Sequence, residues 1–329
     1  MMKTIRWGIL GPGNIAHKFA EGLKALPDAE RAAVGSRDEA RAAQFAKKHG
    51  FARSYGSYEA LAEDPDVDIV YIATPHPMHK KESIRCLRAG KAVLCEKPFT
   101  VNRREAEAVF QAARAANRFC MEAMWTRFLP VMAQVRKWLE EGRIGEPRMV
   151  QADFGFRAEL NEESRLFAPE YAGGGLLDVG VYCVSFASMV FGGPPDRVAG
   201  LAHLGETGVD EQGAYVLGYP GGRIAVLHSA VRTNTPQDAL IMGTDGMIRV
   251  EPPFWRSSSA ALAVQGREPE HVSLPMIGNG YNYQAAASQD CMRAGRLECD
   301  IMPWAETLSI MDTLDRIRAE WGLQYPMEK

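Results

Sequence analysis

The feature that most constrains this chain is its first turn. Gly11-Pro12-Gly13-Asn14-Ile15-Ala16 follows directly on an apolar run at residues 4–10 and opens a helical pattern over 14–26. A strand feeding a GxGxxA turn and then a helix is how a dinucleotide-binding unit begins. Gly11 permits the tight turn, Gly13 lets the backbone approach a pyrophosphate, and the small Ala16 lets the helix lie close to the sheet. Asn14 and Ile15 start the helix, whose unpaired N–H groups and dipole favour phosphate charge. A glycine turn alone is a weak sign, since plain strand–helix turns share the pattern. Here it is the first junction of a longer alternating series.

That series predicts short apolar strands at residues 29–36, 52–55, 67–73, 91–95 and 119–123. Between them lie helices at 38–49, stopped by Gly50, from a Ser57 cap through 62, and at 78–89, stopped by Gly90. A further helix opens at Asn102, with Ala106, Val109, Phe110 and Ala113 at helical spacing. Apolar strands alternating with helices mean an α/β Rossmann domain, a parallel sheet covered on both faces, over residues 1–123.

The patterning changes after residue 124. One amphipathic helix at 131–141 precedes strands at 147–156, 197–204, 212–219, 223–231, 239–242 and 247–250. Gly221-Gly222 reads as a tight hairpin, and helices are expected at 177–190, 282–294 and 305–321. The expectation is an α+β C-terminal domain over 124–329, built on a largely antiparallel sheet. The Glu- and Gly-rich loop at 157–175 is long enough to suggest a role at a site.

Bulk properties narrow the function. A 329-residue chain is expected to divide into two domains. A net charge of -3 argues against nucleic acid as a partner. The six cysteines show neither CxxC pairs nor metal-ligand spacing, which predicts free thiols, no metal and a reducing compartment. The N-terminus lacks the apolar stretch of a signal peptide, and no run of about 18 apolar residues is read in the chain. Cytoplasm, with no membrane partner, is the expected address.

Cofactor choice is read at the end of the second strand, where NAD enzymes usually place an acid for the ribose 2′-hydroxyl. This chain has Gly35-Ser36-Arg37-Asp38 there. Ser36 and Arg37 suit a 2′-phosphate, and Arg41, one turn into the helix, adds a second positive charge. NADP is therefore expected over NAD, although Asp38 turned toward the ribose would favour NAD.

Two further clusters carry chemistry. Glu96-Lys97-Pro98 lies at the carboxyl end of the fifth strand, the edge where open α/β sheets bind ligands. A lysine there can bond a substrate oxygen and lower the pKa of a neighbouring acid; the plainer alternative is a snorkelling surface lysine. Gly173-Gly174-Gly175 reads as a flexible approach to a helix on which Asp178 and Tyr182, four residues apart, share a face. A carboxylate, a phenol and a lysine make an acid–base group able to move a proton while a hydride moves. Taken alone, Asp178 could equally be a helix-dipole partner and Tyr182 a core residue. Phe154 and Phe156 read as core.

The glycine turn, Thr74-Pro75-His76-Pro77-Met78-His79, Glu96-Lys97-Pro98 and the GGGxxxDxGxY run together resemble the Gfo/Idh/MocA oxidoreductase family. Tyrosine at 182, with Met121-Glu122-Ala123-Met124-Trp125-Thr126-Arg127-Phe128, is similar to the branch containing dihydrodiol and NADP-dependent aldose (D-xylose) dehydrogenases. The resemblance implies catalytic Lys97, Asp178 and Tyr182, with cofactor contacts extending to Thr74, Pro75, His79, Glu96 and Lys97. It implies NADP, a substrate pocket walled by Trp125, Arg127 and Phe128, and a homodimer through the open face of the C-terminal sheet. It also implies a Lys97–Pro98 bond that is often cis.

The resulting expectation is hydride transfer between nicotinamide and the hydroxyl carbon of a sugar or trans-dihydrodiol. Tyr182 would take the hydroxyl proton, Lys97 would lower its pKa, and Asp178 would orient the pair. Two other readings stand beside it. One is NADPH-dependent reduction of α-dicarbonyls or anhydro-keto sugars, and the other is a non-catalytic NADP-binding redox sensor.

Overall fold

The computed structural model describes residues 3–329, which divide into two compact units. The first comprises residues up to Thr100, Arg104–Trp125 and Ile277–Thr307; the second holds Val101–Arg103, Thr126–Met276 and Leu308–Lys329.

The first unit is built on β1 (Ile5–Leu10), β2 (Ala29–Gly35), β3 (Arg53–Tyr55), β4 (Ile69–Ile72), β5 (Ala92–Glu96) and β6 (Cys120–Ala123). Between them run α1 (Asn14–Leu23), α2 (Glu39–His49), α3 (Tyr58–Glu63), α4 (His79–Arg88) and α5 (Arg103–Ala116). All strands are parallel, in the order β3-β2-β1-β4-β5-β6. This is the doubly wound order of a dinucleotide-binding sheet, with its switch point between β1 and β4.

Local chemistry sets the boundaries. The Asp38 carboxylate caps α2 by accepting from the Arg41 N–H at 3.1 Å, and Gly50 ends that helix in the left-handed region at φ 71°. Ser57 caps α3 through the Ala60 N–H at 3.1 Å. Burial of Trp7, Phe19 and Tyr71 holds the sheet to α1, with Phe19 stacked on Tyr71 at 3.7 Å between ring centres.

The second unit begins with α6 (Pro130–Glu140) and β7 (Pro147–Gly155), then α7 (Val181–Phe191). The strands β8 (Arg197–Leu204), β9 (Asp210–Tyr219), β10 (Arg223–Ala230), β11 (Ala239–Gly243), β12 (Gly246–Val250), β13 (Ser259–Val264) and β14 (Glu270–Ser273) follow. Eight strands pair in the order β14-β13-β12-β11-β7-β10-β9-β8, antiparallel except at β7–β10. On β9, Tyr215, Leu217 and Tyr219 are buried while Ala214 and Val216 face outward, the period-2 signature of a sheet with one covered face.

The chain ends with α8 (Tyr281–Arg293) and α9 (Trp304–Trp321). Residues 277–307, expected with the C-terminal domain, pack in the first unit. There the Trp304 indole donates to the Cys120 carbonyl at 2.8 Å, and Gln289 donates to the Asp28 carbonyl at 3.0 Å.

Three expectations change. The sheet gains β13 and β14, whose alanine- and serine-rich or polar sequences carry little strand signal. The helix expected at 177–190 starts with a π-helical turn at Leu176–Gly180 before α7 takes over. Finally, Pro169–Phe191 is long and apolar enough to cross a membrane by composition, at mean hydropathy 1.6, contrary to the expectation of no such run. That window is 89% buried within the protein, consistent with the core helix of a globular unit.

Candidate active site

In the first unit the glycine turn closes at the switch point. Gly11 sits at φ +83°, and a Cβ there would lie 2.9 Å from the Ala73 carbonyl oxygen, so only glycine fits. A Cβ on Gly13 would meet nothing within 4 Å, leaving open space beside the backbone where a pyrophosphate approaches. Gly13 caps α1 without a side-chain bond, and the first turn of α1 contains no acid. That helix end suits an anion. Ala16 is fully buried between helix and sheet.

Beside the turn, Pro12, Asn14, His17, Arg41, Gln44, Phe45 and Lys48 line a cavity of about 200 Å³ between α1 and α2. Ser36 is buried and its hydroxyl accepts from the Asp38 N–H at 3.2 Å. Arg37 is exposed and bonds Tyr58. One oxygen of the Asp38 carboxylate is engaged by the helix that follows it. Across the switch point, the buried Thr74 hydroxyl oxygen has no hydrogen-bond partner within the protein, which fits a cofactor contact.

His79 begins α4 and is buried. Its ring nitrogens lie 2.9 Å from the Pro98 carbonyl oxygen and 2.7 Å from that of Thr74, which ties the Thr74-Pro75 segment to the end of β5. Burial holds its imidazole below the usual histidine pKa, against the pull of those two carbonyls. Glu96 accepts from the Tyr71 hydroxyl and from the Lys97 N–H, and the Lys97–Pro98 bond is cis. Glu122 on β6, to which the sequence reading assigned no individual role, is fully buried and accepts from the Phe99 N–H at 3.2 Å. It thereby fixes the segment that follows Lys97. Trp125 is buried against Tyr281, the rings stacked at 4.4 Å.

In the second unit, Asp178 lies in the π-helical turn and Tyr182 in the first turn of α7. The helical segment that carries both residues therefore opens in a π turn and continues as an α-helix, and π turns are frequent at functional sites. The Asp178 carboxylate accepts from Arg165 at 3.0 Å, which brings the 157–175 loop to a proposed catalytic acid.

Tyr182 is buried, 5.4 Å from the Phe154 ring and 6.4 Å from that of Trp255. Phe154 and Trp255 stack at 4.9 Å with an interplanar angle of 6°. Phe154, read as core, therefore forms an aromatic wall beside the tyrosine. Trp255 was not foreseen, because only the fold brings it to Phe154. Arg127 is buried with its guanidinium on the hydroxyl and carbonyl of Ser185 in α7, at 2.9 and 2.6 Å, and Phe128 is buried next to it in sequence.

A glycine turn at the switch point of a parallel sheet, followed by an anion-ready helix end, defines a dinucleotide-binding unit. Residues 5–124 match the model described as oxidoreductase family, NAD-binding Rossmann fold, and residues 132–249 match the GFO/IDH/MocA C-terminal domain. The chain belongs to the Gfo/Idh/MocA oxidoreductase family and is an NAD(P)-dependent dehydrogenase or reductase acting on CH–OH groups.

It is 40% identical to the trans-1,2-dihydrobenzene-1,2-diol dehydrogenase of Mus musculus, with 99% of each chain covered. Among solved structures, the 3-ketoreductase of Actinomadura kijaniata with NADP and TDP-benzene is 28% identical at TM-score 0.83, covering 97% of this chain and 98% of that one. The aldose–aldose oxidoreductase of Caulobacter crescentus with glycerol is 25% identical at TM-score 0.86, covering 97% of each.

Proposed function

We propose that the protein is an NADP-dependent dehydrogenase of a trans-dihydrodiol or a cyclic aldose. The observation that carries this reading is Tyr182 set against the Phe154–Trp255 stack. Flat aromatic faces suit an aromatic diol or the C–H face of a sugar ring, and the phenol supplies the proton relay. Full-length similarity to a dihydrodiol dehydrogenase supports the choice. Exposed Arg37 and Arg41, with Asp38 held as a cap, favour a cofactor bearing a 2′-phosphate.

The nicotinamide supplies the hydride chemistry when bound; the protein's own groups handle position and proton. Tyr182 takes the proton from the reacting hydroxyl, Lys97 donates a hydrogen bond to the substrate oxygen, and Asp178 orients the tyrosine's helix turn through its bond to Arg165. Trp125 and Phe128 bound the substrate space.

The same reading makes a second copy of the chain the partner for the open sheet. Met149, Ile224, Met242 and Met247 lie side by side across β7, β10, β11 and β12, with Leu201, Val216 and Val226 exposed on β8, β9 and β10. An apolar face of that extent is expected to be covered.

The test is turnover of trans-dihydrodiols, aldoses and α-dicarbonyls with both nicotinamides, for the wild type and for Tyr182→Phe and Lys97→Met. Each substitution is expected to lower kcat by a factor of about 10² or more. Near-normal turnover in both variants sinks the assignment. Turnover confined to dicarbonyls with NADPH replaces the dehydrogenase with a reductase.

A further inference from the structure

Asp210, the first residue of β9, is fully buried. Its Oδ2 accepts from the Leu176 N–H at 2.6 Å, at the head of the helical segment that carries Asp178 and Tyr182. A Cβ on Gly174 would fall 2.1 Å from Asp210 Oδ1, and one on Gly175 would fall 3.4 Å from Oδ2. The carboxylate therefore lies flush against the triglycine turn, and Gly174, at φ +108°, must be glycine on both counts.

The turn expected to be a flexible approach is thus held. On its other side, the Tyr325 hydroxyl donates to the Gly173 carbonyl at 2.7 Å, and Tyr325 is fully buried beneath Arg318. Tyr215, also on β9, lies 3.4 Å from the Gly180 carbonyl at the far end of the π turn.

We propose that Asp210 is a positioning residue for catalysis. It fixes the triglycine turn, and through it the π turn and first α7 turn, so that Asp178 and Tyr182 hold the angle their chemistry needs. This rests on the proposed catalytic roles of those two residues. The geometry also gives the clamp a titratable component. Oδ1 has no hydrogen-bond partner, and burial pushes the carboxyl up to about 7 against the helix N–H groups that favour its charge. The charged or titratable groups bearing on it are Arg318 from α9, Tyr325 from the C-terminal segment and Tyr215 from its own strand. Arg318 is itself bonded to Asp315 and Glu328. Deprotonation puts a full charge on the acceptor of the Leu176 N–H, and protonation weakens that bond.

The experiment measures kcat and the NADP KM across neutral pH for wild type, Asp210→Asn, Tyr325→Phe and Tyr182→Phe. Asp210→Asn keeps the shape and an acceptor but cannot ionise. It is expected to lower kcat about tenfold while leaving the NADP KM within about twofold, and to erase a limb of the wild-type kcat profile near pH 7. Tyr325→Phe, which loosens the turn from its other side, is expected to lower kcat and keep that limb. A folded Asp210→Asn whose kcat and pH profile superimpose on wild type overturns the proposal, as does a loss shared equally by the NADP KM. The Tyr182→Phe arm separates the two failures. If it is inactive while Asp210→Asn behaves as wild type, the positioning role alone fails; if it turns over normally, the catalytic reading beneath it fails.

Discussion

Arg37 and Asp38 are neighbours in different surroundings, and the proposed preference for NADP rests on that difference. Asp38 accepts from the Arg41 N–H through one carboxylate oxygen, while Arg37 stays exposed at the end of β2. A charge-assisted bond from Arg37 to a 2′-phosphate is worth about 1.5–3 kcal/mol. Arg37→Ala is therefore expected to raise the NADP KM about tenfold or more and to leave the NAD KM nearly unchanged, as steady-state kinetics with each cofactor would show. Equal losses with both would remove Arg37 from the phosphate site. At this scale the sequence was readable where one residue type is forced by backbone geometry, as at Gly11. It was silent where two side chains far apart in the chain meet, as with Phe154 and Trp255. No local pattern around Trp255 points to a stack made 101 residues upstream, a separation that only the folded sheet closes.

At the scale of elements, strands and caps were legible because each is written locally. Ser57, Gly50 and Gly90 stand where helix ends require them, and the apolar runs of β4 and β5 are bounded by polar or turn residues. The π turn at Leu176–Gly180 was not legible, and the carboxylate that accepts from its first N–H sits on β9, 34 residues later.

That carboxylate has a thermodynamic signature. Its pKa rises from 3.8 to about 7 on folding, so the folded state holds the proton more tightly than the unfolded chain. This contribution to stability is fully present below about pH 4 and is lost as pH rises through about 7. Asp210→Asn, which stays neutral, is expected to gain Tm relative to wild type across that window and to show no further gain above it. Thermal melts of both proteins at matched ionic strength check this. A Tm difference independent of pH would mean that Asp210 does not titrate there.

For the whole molecule, the doubly wound sheet and the open antiparallel sheet were both anticipated. The return of residues 277–307 to the first unit was not. Helical periodicity shows that α8 has an apolar face without saying which unit it covers, and Trp304 and Gln289 reveal their partners only once folded. The row of exposed Met149, Ile224 and Met247 with half-buried Met242 belongs to this scale too. If a second copy covers it, Ile224→Lys with Val216→Lys is expected to shift the protein from dimer to monomer by analytical ultracentrifugation, with secondary structure retained. A wild-type protein that sediments as a monomer at micromolar concentration contradicts the pairing.

We propose that this chain moves a hydride between a hydroxyl carbon and NADP, with Tyr182 handling the proton. The most direct measurement uses a trans-dihydrodiol or aldose deuterated at the reacting carbon, incubated with NADP+ and the wild-type protein. One deuterium is expected in the NADPH by mass spectrometry, with a rate at least about 10² lower in Tyr182→Phe. NADPH that forms without the label would contradict it, as would labelled NADPH formed at the same rate by the phenylalanine variant.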